Sequence, residues 1–348
     1  MPVVDYVLTL AIVLASVVLG GAKSHKVKSS EDLFSKDYTT VLKGICCIIV
    51  VMVHINIEYQ NPIQDAIGSF GFVCVTLFFM ISAYGMQMSA ERKPDYLRHF
   101  WRNRLLSLLT PCLLINICFY LCNMLIKGSA SIESLIYINH YVIVLLEYCL
   151  WFFIIMWMKN RVGVQKDWIS DLFLTAGVVL SSLCSYFMLE NGSSSPFIGW
   201  CYERCGLVWG LWLYRLMPKV RVWLTTRRIL KFCLFSVLAL SFGVIYLKYK
   251  EIYFIGTYLL KITLGLVIIV WLLLLTVNRK FGNKWSLYLG KISYEVYLSH
   301  GMVMSVLVML CPNVSSGIFI LLTYIVTILF SMGVHTVGHR IVGRLRSN

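Results

Sequence analysis

The sequence LKGICCIIVVMVH, residues 42–54, is followed after a short polar break by GFVCVTLFFMISAYG, residues 71–85. Both segments are strongly apolar, as is typical of the ~17–25-residue helices that cross the hydrocarbon core of a bilayer. A basic segment then ends in FWRNRLLSLLTP, residues 100–111, where a third apolar segment begins. This pattern predicts neighbouring membrane-spanning helices, around which the rest of the chain is arranged.

The composition extends this interpretation to the whole chain of 348 residues. The sequence is 59% hydrophobic and 14% charged, with a mean hydropathy of +0.78, whereas about a quarter of the residues in soluble domains are charged. The formal net charge is +15, but the positive residues form short clusters between apolar segments, which argues against nucleic-acid binding. We therefore expect an all-α, polytopic protein whose partner is the lipid bilayer, with no nucleic acid.

Eleven segments have the length and apolarity of a membrane-spanning helix. They lie at about residues 3–22, 41–57, 68–90, 105–126, 135–158, 168–189, 197–217, 230–248, 252–277, 287–310 and 316–339. We expect a bundle of about eleven spans, in which a core of ten helices follows one extra N-terminal helix. Residues 1–22 would form this extra helix, residues 23–40 a cytoplasmic linker, and residues 41–348 the membrane domain.

The distribution of lysine and arginine predicts the orientation of the bundle. When the segments between spans are assigned alternately to the two sides, 26 of the 31 basic residues fall on one side. The positive-inside rule identifies that side as cytoplasmic. The five remaining basic residues are Lys127, Arg204, Lys248, Lys250 and Lys261. We therefore expect the N-terminus outside and the C-terminus in the cytoplasm.

Two histidines lie within apolar segments, where an ionisable side chain costs roughly 2.5–3.5 kcal/mol to insert and is a candidate for function. His54 follows Lys43 by eleven residues, or about 16 Å along a helix, which predicts a mid-helix position near the centre of the bilayer. His300 lies about a dozen residues into the tenth span, so a similar depth is expected. Because a neutral imidazole can take a proton from an attacking hydroxyl, His54 is the candidate general base.

Other polar residues in the spans have both a structural and a functional interpretation. Glu58, one turn beyond His54, either lies at the outer interface or orients the imidazole by accepting its second N–H. Glu203 and Arg204 are expected inside the seventh span, where they pair for structure or contact an acceptor. Lys261 either extends its ammonium to the interface or pairs with a carboxylate.

A basic cluster precedes the fourth span at the predicted cytoplasmic surface. It contains Arg98, Arg102 and Arg104, which topology explains in part. Guanidinium groups also bind phosphate oxygens through paired hydrogen bonds, so a phosphate-bearing donor such as coenzyme A fits this entrance. The sequence contains no G-x-S-x-G, H-E-x-x-H or P-loop motif, which removes support for a hydrolase, a metalloprotease or an ATPase.

These residues resemble motifs of the acyltransferase-3 family of integral membrane acyltransferases. In that family one helix opens with Arg-Gly and carries a histidine eleven residues after the arginine. Lys43 and His54 keep this spacing, with lysine in place of arginine. The family motif FFxxSGY resembles residues 78–84, with alanine in place of glycine, and LGxxSYxxYLxH resembles residues 289–300.

Two further motifs are similar but incomplete. Where the family has two arginines three residues apart before a proline, this chain has Arg104 and Ser107, and Arg102 is the alternative arginine. Trp151 is followed by phenylalanine, as in a middle helix of the family, and Arg204 opens a segment similar to its Arg/Gly helix.

The resemblance implies transfer of an acyl group, commonly acetyl, from cytoplasmic acyl-CoA to a hydroxyl of a cell-surface or lipid-linked glycan, in a bacterial inner membrane. Acyl-CoA would be the donor substrate and no cofactor would be permanently bound; a homodimer is left open. The candidate catalytic residues are His54, Glu58 and His300. The candidate donor-binding residues are Lys43, Ser82, Tyr84, Arg102 and Arg104. The candidate acceptor-binding residues are Trp151, Arg204, Tyr294 and Tyr297, and no metal site is expected.

Three points are left open by the sequence. Ser82, Tyr294, Tyr297 and His300 are alternative donors to the oxyanion that develops during acyl transfer. A membrane transporter or flippase is the alternative function, with the histidines and Arg204 lining a substrate path. An inactive structural relative is a third interpretation, supported by the altered arginine motif alone.

Overall fold

The computed structural model describes residues 2–21, 25–26, 33–55, 61–163 and 166–347. Almost all regular structure in these ranges is helical, and the predicted all-α polytopic bundle is confirmed. Two short segments, β1 (His25–Lys26) and β2 (Arg279–Lys280), pair in an antiparallel ladder.

The first seven helices lie between Pro2 and Val162. They are α1 (Pro2–Gly21), α2 (Lys36–Val53), α3 (Pro62–Gly68), α4 (Phe72–Arg92), α5 (Phe100–Lys127), α6 (Glu133–Ile136) and α7 (His140–Val162). The remaining helices are α8 (Asp167–Glu190), α9 (Cys205–Arg215), α10 (Met217–Thr225), α11 (Arg228–Tyr249), α12 (Leu260–Thr276), α13 (Lys284–Lys291), α14 (Ser293–Leu310) and α15 (Ser316–Ser347). A π-helical turn, Ile255–Leu259, leads into α12.

Within the described residues, eight helical segments are long and apolar enough to cross a membrane. They are Pro62–Arg92, Phe100–Lys127, His140–Val162, Asp167–Glu190, Arg228–Tyr249, Ile255–Thr276, Ser293–Leu310 and Ser316–Arg346. Helices α1 and α2 lie at the first two predicted spans. The expected orientation of the bundle stays a prediction.

The seventh predicted span is much shorter than expected. Helix α9 begins at Cys205, and the four residues before it form turns, so the prediction that Glu203 and Arg204 lie inside a helix was wrong. Pro196 and Gly199 interrupt the segment, and Trp200 has a φ of +60°, which a helix does not permit. This irregular segment leads directly to the candidate site.

Glycines allow two pairs of helices to approach until their backbones touch. A Cβ on Gly206 of α9 would lie 2.2 Å from the carbonyl oxygen of Thr76 in α4, and one on Gly210 would lie 2.1 Å from that of Met80. Glycines four residues apart are typical of close helix packing in membranes. They fix the start of α9, and the turns before it, against α4.

A second close approach fixes α2. A Cβ on Gly290 of α13 would lie 1.8 Å from the carbonyl oxygen of Thr40, and one on Gly44 would lie 2.8 Å from that of Ser286. From the opposite end of the chain, the Tyr324 hydroxyl of α15 donates to the Ile48 carbonyl at 2.7 Å. Helix α2, which carries Lys43 and leads into His54, is therefore held by both α13 and α15.

Replacing Gly210 with alanine should destabilise the bundle, because the new methyl group would overlap the α4 backbone. Overpacking of this kind costs about 1–3 kcal/mol. The matched control is Gly333→Ala in α15, where the methyl group would enter open space and alanine favours the helix by about 1 kcal/mol. Thermal unfolding in detergent, followed by circular dichroism, compares the two. Equal transition temperatures would contradict the close α4–α9 contact.

Candidate active site

His54 lies at the C-terminal end of α2 and not in mid-helix as the spacing predicted. Val53 is the last helical residue, and the His54 N–H donates to the Val51 carbonyl at 3.2 Å. The apolar segment that supports the helix ends at Ile55 and polar residues follow, so α2 ends where its apolar sequence does. The imidazole is consequently exposed at a helix end.

The rings of His54 and His300 are in contact. Their centroids are 4.8 Å apart and their planes are inclined by 60°. Nδ1 of His54 lies 2.8 Å from the Val50 carbonyl oxygen, and Nδ1 of His300 lies 3.2 Å from that of Val296. Because a carbonyl can only accept, both Nδ1 atoms carry a proton, and the Nε2 atoms of the neutral rings are left as bases.

Glu58, the carboxylate expected to orient His54, lies outside the described residues. The Val50 carbonyl already accepts the Nδ1 proton of His54, so a backbone group performs the orienting role that a catalytic imidazole needs.

Two cavities meet at His54. The first, of about 440 Å³, which we call the apolar cavity, is lined by Cys112, Ile115, Phe119, Tyr297, Leu298 and Met302. The uncharged polar residues Asn116, Asn139 and Ser305 and the imidazole of His300 also border it. The second, of about 460 Å³, which we call the charged cavity, contains Asp65, Glu203, Lys250, Glu251 and Lys261. His54 and Trp200 line both cavities. The candidate base is therefore accessible from two sides.

The two predicted tyrosines of α14 have different environments. The ring centroid of Tyr297 lies 5.8 Å from that of His300, 4.8 Å from that of Tyr141 and 6.4 Å from that of Trp200. Tyr294, one turn earlier, donates its hydroxyl proton to the Leu108 carbonyl of α5 at 2.8 Å. Tyr297 thus borders the histidines, whereas Tyr294 links α14 to α5.

Arg104 lines a third cavity, of about 560 Å³, together with several other basic side chains. We call it the basic cavity; its basic residues are Arg92, Lys93, His99, Arg104 and Arg346. Arg104 donates to the Tyr96 hydroxyl at 2.8 Å, and burial raises the pKa of this hydroxyl, which keeps it a neutral partner. Arg102 is exposed and does not line this cavity, so the structure brings Arg104, not Arg102, to a basic site.

Helix α5 connects the basic cavity with the apolar cavity. Arg104 borders the first and Cys112 the second, and their separation of eight positions along the helix corresponds to about 12 Å. The Tyr294–Leu108 hydrogen bond lies along this stretch of α5. A substrate with a charged head and a long arm could therefore extend along α5 from one cavity to the other.

The other candidate donor-binding residues are distributed along α2 and α4. Lys43 precedes His54 by eleven residues, so at about 100° per residue the two positions differ by about 20° around the α2 axis and share a face of the helix. Among the described residues the Lys43 ammonium has no hydrogen-bond partner. Ser82 donates its hydroxyl proton to the Phe78 carbonyl at 2.8 Å. The Tyr84 ring is buried among other aromatic rings, those of Phe34 and Tyr214. None of these three residues lines either cavity at His54.

Arg204 is 2% exposed and lies in a largely buried ion pair, whose other member, Glu147, is 22% exposed. Its Nη1 contacts Glu147 Oε2 of α7 at 2.9 Å, and Ser181 of α8 donates to the other carboxylate oxygen at 2.5 Å. The guanidinium also donates to the carbonyls of Gly199, at 3.2 Å, and Phe197. Arg204 lines neither cavity at His54. Its contacts connect the irregular segment before α9 with α7 and α8.

Trp151 also lies away from His54. Its side chain is 44% exposed on the surface of α7, whereas the adjacent Phe152 is fully buried. The structure therefore brings together His54, His300 and Tyr297, and leaves Trp151, Arg204 and Tyr294 outside the two cavities.

Trp200 was not identified from the sequence. It follows the run SSSPFIG, residues 193–199, whose serine, proline and glycine content marks a loop between two spans. The signal that could have found it is the aromatic and acidic cluster directly after this loop, Trp200, Tyr202 and Glu203. Its position beside His54 depends on tertiary contacts made by Arg204.

Comparison with known proteins gives one match. A family model described as an acyltransferase domain matches residues 37–336, which includes both histidines, the basic segment before α5 and the segment around Arg204. No curated protein and no solved structure matches the chain.

Substitution of Arg204 with methionine should strongly destabilise the protein, because the Glu147 carboxylate and two carbonyl groups would lose their partner. Breaking a buried ion pair costs about 3–5 kcal/mol. The double variant Arg204→Met/Glu147→Gln should recover part of this loss, since it leaves no uncompensated charge. Arg161→Met, at an exposed position of α7, is the control. Thermal unfolding of the wild-type protein, the single variants Arg204→Met and Glu147→Gln and the double variant measures the coupling, and Arg161→Met should unfold like the wild type; additive losses would show that the pair is not energetically linked.

Proposed function

Because the chain belongs to the acyltransferase-3 family, we propose that this multi-pass membrane acyltransferase moves an acyl group, acetyl in the first instance, from cytoplasmic acyl-CoA to a hydroxyl of a cell-surface or lipid-linked glycan. The bacterial inner membrane is the proposed location. The observation that carries the proposal is the His54 imidazole, whose Nε2 has no hydrogen-bond partner among the described residues and which lies where two cavities meet.

In this proposal His54 acts as the general base. Its Nε2 takes the proton of the acceptor hydroxyl while the oxygen attacks the thioester carbonyl carbon. A carbon–oxygen bond forms, the tetrahedral intermediate collapses, and the carbon–sulfur bond breaks. The departing thiolate takes the proton back from the imidazolium, so the products are an ester and free coenzyme A.

His300 and Tyr297 would support this step. In neutral His300 the Nδ1 proton is directed to Val296, so its Nε2 can only accept a hydrogen bond and could stabilise the imidazolium of His54. Of the candidate oxyanion donors, Ser82 and Tyr294 already donate to backbone carbonyls. The Tyr297 hydroxyl has no hydrogen-bond partner within the described part of the chain, and it borders the apolar cavity. Tyr297 is therefore the proposed donor to the oxyanion.

The donor would bind with its phosphates in the basic cavity. Arg104 and the cations around it can form charge-assisted hydrogen bonds with phosphate oxygens. The pantetheine arm would then follow α5 toward Cys112 and place the thioester beside His54, with the acyl group in the apolar cavity. Lys43, on the face of α2 that leads to His54, would add positive charge along this path.

Replacing His54 with alanine should reduce transfer by about 10²–10⁴-fold, the usual contribution of a positioned general base. Protein in vesicles receives acetyl-CoA labelled in the acetyl group and a membrane glycan extract, and label in alkali-labile ester is measured together with free coenzyme A. The control is His339→Ala, an exposed histidine away from both cavities, which should retain wild-type activity. A folded and active His54→Ala protein would remove the proposed base. Movement of a substrate across the vesicle membrane in the absence of acyl-CoA, together with no label in ester, would favour a transporter.

Replacing Arg104 with alanine should raise the half-saturating concentration of acetyl-CoA about tenfold or more, because a charged hydrogen bond of about 1.5–3 kcal/mol is lost. Arg102→Ala removes the same charge two residues away, at a position that does not line the basic cavity, and should change this concentration little. The transfer assay above, run with varied acetyl-CoA, gives both values. Equal effects of the two substitutions would contradict phosphate binding in this cavity.

A further inference from the structure

Glu203 presents an unusual carboxylate at the wall of the charged cavity. Its side chain is 3% exposed, and its Oε2 has no hydrogen-bond partner among the described residues. An unpaired oxygen of this kind is costly to bury, and almost all buried polar atoms in proteins are paired. A carboxylate oxygen that lies beside a cavity and has no partner in the described part of the chain indicates that a ligand supplies the donor.

The groups around Glu203 suit a ligand that bears several hydroxyls. The Lys261 ammonium donates to the Tyr202 hydroxyl at 3.0 Å, which leaves donors free on the same side of the cavity. The rings of Tyr202 and Tyr246 each lie within 6 Å of the Phe72 ring and provide an apolar surface. A sugar ring combines hydroxyls that donate and accept with C–H faces that pack on aromatic rings.

The two cavities at His54 differ in the substrate they can accept. Among the described residues, no lysine, arginine, aspartate or glutamate lines the apolar cavity, and α5 connects this cavity with the basic cavity. The charged cavity is lined in part by Asp65, Lys250 and Glu251. These residues lie in the connections α2–α4 and α11–α12, on the side predicted to face outward. The acyl donor and the acceptor can therefore reach His54 from separate sides.

We infer that the charged cavity is the acceptor site and binds a polyhydroxylated sugar, with Glu203 accepting a hydrogen bond from a hydroxyl next to the one that reacts. This assignment rests on the proposed acyl transfer. His54 and Trp200 form the wall that both cavities share, so a sugar held by Glu203 has a neighbouring hydroxyl directed to the imidazole.

The test is Glu203→Gln in the vesicle assay. The concentration of membrane glycan extract is first varied at saturating acetyl-CoA, and the concentration of acetyl-CoA is then varied at saturating extract. The amide keeps the size of the side chain but replaces one acceptor oxygen with a donor. The half-saturating concentration of extract should rise about tenfold or more, and that of acetyl-CoA should stay within about twofold of wild type. Glu190→Gln, an exposed residue at the end of α8 that lines neither cavity, should change neither value.

Two further arms keep the test decisive if Glu203→Gln does not fold. Asp65→Asn, at an exposed position on the same cavity, should raise the half-saturating concentration of extract a few-fold. Extract whose vicinal diols have been cleaved with periodate and then reduced should no longer saturate the wild-type protein. Full activity with the cleaved extract would overturn the assignment of a sugar to this site.

The failures of the two proposals are distinguishable. If Glu203→Gln, or Asp65→Asn where the former is unfolded, leaves the half-saturating concentration of extract unchanged or raises that of acetyl-CoA equally, the acceptor assignment is wrong. Loss of transfer in His54→Ala would then still support the proposed function. If the wild-type protein transfers no label to any extract, the proposed function and the acceptor assignment are both wrong.

Discussion

The buried ion pair between Arg204 and Glu147 determines where the segment before α9 lies. A guanidinium in an apolar bundle must satisfy its charge and its five N–H donors, and here one carboxylate, the Ser181 hydroxyl and the carbonyls of Phe197 and Gly199 do so. The same contacts satisfy carbonyls that a non-helical segment within the bundle would otherwise leave unpaired. They allow Trp200 to keep a φ of +60°, and they bring Trp200 and Glu203 to the side of His54.

Close helix contacts complete this arrangement. The irregular segment before α9 is held by Arg204, and its C-terminal end is fixed because α9 packs on α4 through glycines. Because Gly290 brings α13 against α2, helix α14, which follows α13 directly, starts beside α2. The two histidine rings then meet at 4.8 Å although 246 residues separate them in the chain. Neither histidine needs a carboxylate for its orientation, since each donates to a carbonyl of its own helix.

The sequence predicted what local apolarity and spacing can determine. The membrane helices follow from the length of the apolar segments. His54 and His300 lie at similar distances from the predicted cytoplasmic ends of their spans, which predicts a similar depth in the bilayer for both. The helix end at His54 was not predicted, although the apolar segment ends there. The turns before α9 were not predicted because they depend on Arg204, whose partners Glu147 and Ser181 are distant in sequence. The choice between Arg102 and Arg104 was left open for the same reason: it depends on which face of α5 meets Tyr96 and the end of α15.

The surroundings of Cys112 favour direct transfer over a covalent intermediate on the enzyme. Cys112 borders the apolar cavity and could in principle accept the acyl group. A thiol becomes a strong nucleophile when a base or a cation stabilises its thiolate. Here the Cys112 thiol donates to the Leu108 carbonyl of its own helix at 3.3 Å, and its other hydrogen-bonding contact among the described residues is the Tyr294 hydroxyl, at 3.8 Å. In the proposed reaction, direct transfer requires both substrates to be present at once, and a base that borders two cavities meets that requirement.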